Sequence, residues 1–357
     1  MRLFLGLDSL TPGNGGICRV ARLMARVASD EVKAGRLESA SACLLSDPVG
    51  PPDIEIPVKL CGKSRINFIT ACTQAKWTNT HAAFDFVGLA AAHTVIPFFR
   101  RPFLSYIHGI EVWNGWTKPK YRKAADSATV LVSNTAYTRE RAGREHPSMN
   151  RAVVCWLSTE EDSCPSVTPP TGPPRVTILG RLENDRYKGH SELIDAWPSV
   201  RAAVPDAVLT VIGRGAAMAA YQDQANRLGL SPTAVEFRGF VPEDEMPQVW
   251  ASTHLFAMPS RGEGFGLVYI EAMRQGRPVI GSVHDAAPEV NVHGETGYNV
   301  NLDRRGDLTD RLIELLRDSD HSRRLGENGQ KRWTTHFRYS AFRDRFAPIL
   351  RGFLTHP

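Results

Sequence analysis

The chain of 357 residues contains no apolar run approaching the ~20 residues a membrane-spanning helix needs, so a spanning protein is not expected. It also lacks cysteine patterning. Cys18, Cys43, Cys61, Cys72, Cys155 and Cys164 form no C-x-x-C pair, and none stands at zinc spacing with histidines. Free thiols in a reducing cytosol are the plain reading. No internal repeat and no low-complexity tract occurs. Apolar residues make up 42% and charged residues 23%, which excludes disorder, collagen and a coiled coil. The opening Met1-Arg2-Leu3-Phe4-Leu5-Gly6-Leu7 begins like a secretory leader. Asp8 interrupts it before ~7 apolar residues have accumulated, and no small-residue cleavage site follows. It reads as a first buried strand.

What is present is material for two cores, since ~150 residues per domain predicts two domains. Charge divides unevenly. Residues 1–157 carry 20 Lys/Arg against 12 Asp/Glu, a net +8, and the remaining residues carry 23 against 26, a net −3. A basic first half suits an anionic partner (phosphate, nucleic acid or an acidic membrane surface) or simply a solvated face. The stretch Ser158 to Pro174, STEEDSCPSVTPPTGPP, is rich in Pro, Ser and Thr without an apolar period, so it reads as a linker.

On both sides of that linker, short apolar runs alternate with helical periods. Strands are expected at Leu3–Leu7, Ala40–Leu45, Ala83–Phe86, Phe103–Ile107, Ala128–Val132 and Ala152–Trp156. Helices are expected at Ile17–Ala28, Arg65–Ala75 and Tyr137–His146. After the linker, strands at Arg175–Leu179, Ala207–Ile212, Val235–Arg238, Leu255–Met258 and Val279–Gly281 alternate with helices at Ser191–Val204, Ala216–Leu228, Glu243–Ala251 and Leu267–Gln275. Helices at Asp307–Asp318 and Ser322–Phe337 and an amphipathic segment, Ser340–Leu354, close the chain. Such alternation predicts parallel sheets covered on both faces, with ligands outside the carboxyl ends of the strands, in a cleft between the domains. The expected boundaries are a first domain at 1–160, a linker at 161–174, a second domain at 175–337, and a last helix, 338–357, packing back toward the first domain.

Four constellations carry chemistry. Gly13-Asn14-Gly15-Gly16 follows the first strand and opens the first helix. Glycines there admit backbone N–H groups to an anion at a helix N-terminus, or serve only as a tight turn. The pattern is neither a Walker loop nor a dinucleotide fingerprint. Arg181 ends a strand and Lys188 precedes a helix; two fixed cations there suit a diphosphate leaving group, or are simply exposed charges flanking a loop. Pro259-Ser260-Arg261-Gly262-Glu263-Gly264-Phe265-Gly266-Leu267 places three glycines in a strand-to-helix turn, followed by Glu271 eight positions after Glu263. A carboxylate so placed accepts two hydroxyls at once, as ribose presents them, or is a solvated helix residue, which leaves the glycine cluster unexplained. His108 stands at a strand end before Gly109, where it either touches a ligand or is merely structural. Asp318-Ser319-Asp320 reads as a solvated connection, and Glu243-Asp244-Glu245 as acidic residues in a helix's first turn.

In this order these motifs resemble the retaining glycosyltransferases of family 4. The resemblance is strongest from Arg175 to Gly297, where Glu263 and Glu271 match the family's E-x7-E pattern. It implies the GT-B fold, two Rossmann-like α/β/α domains facing across a cleft, and transfer of a sugar from a UDP- or GDP-sugar to an acceptor hydroxyl with the anomeric configuration kept. It implies that Gly15 and Gly16 offer amides to the diphosphate and that Arg181 and Lys188 neutralise it. Glu263 would bind donor-sugar hydroxyls near the amides of Gly264, Phe265, Gly266 and Leu267. Glu271 would hold the ribose, His108 would lie near the reacting carbon, and Arg238 to Val241 would border the base. It implies no metal, no cofactor and no nucleic-acid partner, and it leaves the oligomeric state open. The Arg181–Lys188 spacing is slightly longer than the family's commonest one, so Asn184–Tyr187 is expected to loop out. The acceptor, saccharide or lipid-linked in bacterial exopolysaccharide or lipopolysaccharide synthesis, would lie on the first domain. There Trp113, Trp116, Lys118, Lys120, Arg122 and Lys123 form an aromatic and basic cluster. It suits either an anionic membrane or solvent, for a cytoplasmic protein resting on the inner membrane. Rival readings are a non-catalytic nucleotide-sugar sensor, a sugar-nucleotide epimerase and a phosphorylase-like enzyme.

Overall fold

Apolar side chains at successive positions, as in Leu3–Leu7 and Phe103–Ile107, suit strands buried on both faces. The computed structural model describes residues 1–13, 15–47, 50, 54–95, 101–113, 118–183, 187–230, 232 and 234–356. It divides into two compact units, Met1–Glu160 with Arg338–Pro357, and Glu161–Phe337.

In the first unit, β1 (Arg2–Leu7), β2 (Ser39–Leu44), β3 (Val58–Leu60), β4 (His81–Phe84), β5 (Phe103–Ile107), β6 (Val130–Ser133) and β7 (Val153–Val154) form a parallel sheet. Its order is β3-β2-β1-β4-β5-β6-β7. The intervening helices are α1 (Gly16–Lys33), α2 (Arg65–Thr78), α3 (Val87–His93), α4 (Pro119–Ser127) and α5 (Ala136–Glu145). Thr135 opens α5 by accepting the Thr138 N–H. Phe4, Phe68, Phe84, Phe103 and Trp113 are buried in one apolar cluster.

The second unit alternates strictly: β8 (Arg175–Leu179), α6 (His190–Ala203), β9 (Val208–Ile212), α7 (Met218–Arg227), β10 (Val235–Gly239), α8 (Met246–Ser252), β11 (Leu255–Ala257), α9 (Leu267–Arg274), β12 (Val279–Ser282), α10 (Ala287–Val290) and β13 (Gly297–Val300), then α11 (Asp307–Arg317) and α12 (Ser319–His336). The parallel sheet runs β10-β9-β8-β11-β12-β13. The last helix, α13 (Tyr339–Leu354), packs on α1 of the first unit. Tyr339 donates to Asp30 Oδ2 at 2.5 Å, and Arg351 meets Glu31 through two bonds of 2.9 and 3.0 Å.

Several elements differ from the sequence expectation. Asp318 caps α12 by accepting the His321 N–H at 2.8 Å, so Asp318-Ser319-Asp320 opens a helix and is not a loose connection. Glu243 and Asp244 precede α8, whose cap is Glu245, so the acidic triplet lies just outside the first turn. β3, α3, α4, α10 and β13 are additional. They are short, and GYNV in β13 holds two poor strand formers, which hides it from propensity.

Each sheet reverses strand order once, between β1 and β4 and between β8 and β11. At such a switch point the loops leaving adjacent strands diverge and open a crevice at the strands' carboxyl ends. The loop after β1 carries Gly15 and Gly16. The loops after β8 and β11 carry Arg181 with Lys188 and the Glu263 turn.

Candidate active site

In the second unit the two switch-point loops are joined by close backbone approach. Gly180 ends β8, and a Cβ there would stand 2.8 Å from Cδ of Lys188, so its absence lets the lysine stem cross the strand end. Gly189 has φ +88, and a Cβ would overlap the carbonyl of Pro259. Only glycine meets both demands, which explains a lysine followed by glycine here. The Arg261 N–H donates to the Tyr187 carbonyl at 2.7 Å, tying the second loop to the first.

These contacts bring Lys188 and Glu263 together. Lys188 Nζ donates to Glu263 Oε2 at 2.8 Å, with the side chains 14% and 20% exposed. Burial alone would lower the lysine's pKa, but the Glu263 charge, with Tyr187 and despite Arg181, raises it above its usual range. The ammonium is therefore fixed and charged, and the N–H donors not given to Glu263 can hold a phosphate oxygen beside the carboxylate. Arg181 is exposed. His190, buried and stacked on Tyr221 at 5.2 Å, is pushed down to about 4 by burial and then by Lys188, so it is neutral at pH 7.

The Glu263 turn ends in Gly266, with φ +84, which caps α9. A Cβ there would overlap the Tyr269 ring, while the Tyr269 hydroxyl donates to the Met258 carbonyl at 2.6 Å. Gly264, Phe265 and Gly266 are buried, and Phe265 lies edge-on to Phe337 at 6.0 Å. Leu267 is the first residue of α9, and half-buried Glu271 lies in its second turn. The helix start thus offers an anion-favouring dipole next to a fixed cation. Half-buried Val241 follows β10, whose Gly239 carbonyl accepts from Gly213 N–H at 2.8 Å.

Sequence reasoning missed Asp285, which is 2% exposed. It accepts from the Glu263 N–H at 3.0 Å, the Ala287 N–H at 2.9 Å and the Ser260 hydroxyl. Its position before Pro288 at a helix start was the available signal, though nothing local points to Glu263.

In the first unit, Gly15, with φ +93, caps α1 before Gly16. Half-buried His108 directly follows β5. Its Nε2 lies 2.6 Å from the Asp85 carbonyl, which can only accept, so Nε2 donates there. Its N–H donates to Glu111 Oε1 at 2.5 Å, its carbonyl accepts from Asn134 at 3.0 Å, and its ring stacks on Tyr106 at 5.7 Å. These partners hold the imidazole in one orientation. Burial raises the Asp85 carboxyl well above the usual range, while one of its oxygens accepts from the Asp8 N–H at 2.8 Å. Trp113 is buried at 1% exposure and belongs to the core, which removes it from any surface cluster; Trp116 and residues 184–186 lie outside the described residues. Lys118, Lys120, Arg122 and Lys123 are exposed on and beside α4.

A family model described as "Glycosyl transferases group 1" matches residues 173–318. The GDP-mannose-dependent alpha-(1-6)-phosphatidylinositol monomannoside mannosyltransferase of Mycobacterium tuberculosis is 34% identical over 274 residues, covering 70% of this chain and 69% of that protein. The chain belongs to the group 1 glycosyltransferases. The Mycolicibacterium smegmatis protein of the same name is 30% identical over 277 residues, 71% of this glycosyltransferase and 70% of the relative. Among solved structures, Anabaena HepE in complex with UDP and glucose superposes with a TM-score of 0.78 at 20% identity, covering 99% of this chain and all of that one. The two parallel α/β units are those of the GT-B fold.

Proposed function

We propose that this glycosyltransferase moves a hexose from a nucleoside-diphosphate sugar to a hydroxyl of a lipid-linked or saccharide acceptor in bacterial glycolipid or polysaccharide synthesis, with retention and without a metal. GDP-mannose comes first among donors, because the Mycobacterium tuberculosis and Mycolicibacterium smegmatis relatives are named for it; UDP-glucose comes second. The observation that carries this is the Lys188–Glu263 pair, set at the start of α9 by two loops of one switch point. Lys188 and Arg181 take up charge on the leaving phosphate, which is where a metal would otherwise act. Glu263 accepts hydroxyls of the donor sugar, Glu271 the ribose hydroxyls, and the backbone of Gly264, Phe265, Gly266 and Leu267 lines the sugar and phosphate. The chain from Arg238 to Val241 borders the base. The roles proposed for Gly15, Gly16 and His108, toward diphosphate and sugar, rest on the resemblance.

The bond from the anomeric carbon to the phosphate oxygen breaks as the acceptor oxygen attacks from the same face. The acceptor proton passes to the leaving phosphate. No protein nucleophile is needed, which agrees with a fixed cation and carboxylate rather than a nucleophile–base pair. Exposed Lys118, Lys120, Arg122 and Lys123 suit contact with an anionic membrane carrying the acceptor. Among the described residues no helix is long and apolar enough to cross a membrane.

The test is nucleoside diphosphate release from GDP-mannose, UDP-glucose and related donors, with and without a phosphatidylinositol mannoside acceptor. Acceptor-dependent release with an α-linked product supports the proposal. Binding without release favours a sensor, and an inverted product refutes retention.

A further inference from the structure

The main chain of Glu263 is held from both sides by one short segment. Its N–H donates to Asp285 Oδ2 at 3.0 Å, and its carbonyl accepts from the Ala286 N–H at 3.1 Å. Asp285 is itself fixed by the Ala287 N–H on Oδ1 at 2.9 Å and by the Ser260 hydroxyl on Oδ2. Ser260 lies three residues before Glu263, and its own carbonyl accepts from the Ser282 hydroxyl. Two strand-end loops, after β11 and β12, are thus laced through one buried carboxyl group.

We propose that Asp285 is a positioning residue for the transfer: as a carboxylate it fixes the backbone of Glu263, and through it the Lys188–Glu263 pair. This rests on the proposed role of that pair in handling the donor. All three groups facing Asp285 are donors, so only an acceptor on both oxygens satisfies them. An amide cannot. In Asp285→Asn, whichever way the amide is turned, its NH2 faces either the Glu263 N–H or the Ala287 N–H. Protonation has the same consequence, because a proton on Oδ2 points at Ser260 and weakens the bond from Glu263.

Burial pushes the Asp285 carboxyl up to about 7, with the Glu263 charge adding and the three hydrogen bonds opposing. Among the described residues, three other titratable groups stand around this cluster. Lys188 is paired with Glu263, the Tyr269 hydroxyl donates to the Met258 carbonyl, and His284 Nε2 accepts from the Leu302 N–H at 3.1 Å and also lies 3.8 Å from Asp303. Of these groups it is Asp285 whose side chain bonds directly to the Glu263 main chain.

The experiment compares full-length wild type, Asp285→Asn and Ser260→Ala, following nucleoside diphosphate release from GDP-mannose and UDP-glucose between pH 5.5 and 8.5, with thermal unfolding across pH 4 to 8. In the wild type kcat rises through a limb near pH 7. Asp285→Asn loses ~10–100-fold in kcat, the scale of a small misplacement at a reacting centre, with donor affinity little changed and no limb. Ser260→Ala, which removes one bond that favours the carboxylate, moves the limb to higher pH. Wild-type kcat in Asp285→Asn, a limb that persists there, or an unmoved limb in Ser260→Ala overturns the proposal. If the wild type turns over no donor, the functional reading falls. The positioning inference is then judged by unfolding alone: between pH 4 and 7 the wild type carries a loss of stability with rising pH that Asp285→Asn lacks, while the opposite contribution of His190 is common to both; equal profiles refute it.

Discussion

Replacing Lys188 separates what its ammonium does for the fold from what it does for the reaction. At 2.8 Å from Glu263 Oε2, the attraction is roughly 6 kcal/mol at an effective dielectric constant of ~20, before desolvation is subtracted. Removing one partner of a buried pair costs ~3–5 kcal/mol, and because these side chains are still 14% and 20% exposed, ~2–3 kcal/mol is expected for Lys188→Met. For a unit of this size that is a fall of about 5–10 °C in Tm. The double variant Lys188→Met/Glu263→Gln removes the orphaned carboxylate and should regain most of that stability. Activity should not follow. Loss of a fixed cation from a developing phosphate charge corresponds to ~10²–10³ in kcat, with donor affinity falling less, because the charge grows as the bond breaks. Thermal melts and steady-state kinetics on wild type, both single variants and the double variant separate the two effects. A folded Lys188→Met with near-wild-type kcat would refute the assignment, and so would a double variant that recovers turnover along with stability.

Gly266→Ala forces a side chain into a left-handed residue and into the Tyr269 ring, so it should cost at least ~1–3 kcal/mol and displace the turn; an unchanged melt would refute the packing argument. Glu31, 2% exposed, has its carboxyl held down at about 2 by Arg36, against burial and with help from Arg351. A depressed carboxyl stabilises above its ordinary pKa of ~4.3 and loses that stabilisation as pH falls toward 2. Both arginines are half exposed, so Glu31→Gln should cost only ~1–2 kcal/mol at pH 7 and flatten the acid limb of unfolding; an unaltered limb would contradict it. Transfer should persist in a strong chelator, whereas loss restored only by magnesium or manganese would overturn the proposed metal independence.

The parallel α/β character was legible because the strands are apolar on both faces: Phe103–Ile107 is predicted and found residue for residue. The Glu263 turn was legible because glycines at such density have few structural uses. Ends of elements were less so. β7 is two residues long where five were expected, since a pair of hydrogen-bonded residues leaves no periodic signal. Trp113 illustrates a different limit. Beside basic residues it looks like part of a surface, yet its ring closes the core over Gly109 and lies 4.4 Å from Arg141. Asp285 shows the deepest one. Its contact with Ala287 is local and belongs to a recognisable helix start, but the bond to Glu263 spans 22 residues and exists only because β11 and β12 are sheet neighbours.

That bond also sets stability against activity at one atom pair. A carboxyl whose pKa is about 7 in the fold and near 3.8 when unfolded binds its proton more tightly in the native state. Its contribution to stability is fully present below the unfolded value and is lost as pH rises through about 7. The proposed transfer needs the opposite form, the carboxylate that accepts from Glu263, Ser260 and Ala287. Across the same window, therefore, turnover should rise while Asp285 makes the second unit easier to unfold, and Asp285→Asn should remove both effects together, leaving the opposite slope of buried His190 in both proteins. The Glu31 effect falls at lower pH and has the other sign, so the two carboxyls are distinguished by one set of melts. A wild type whose stability climbs steadily from pH 4 to 7, with no opposing component removed by Asp285→Asn, would show that Asp285 stays ionised throughout. Its three donors would then be a permanent fixture of the fold rather than a proton-sensitive hold on the transfer site.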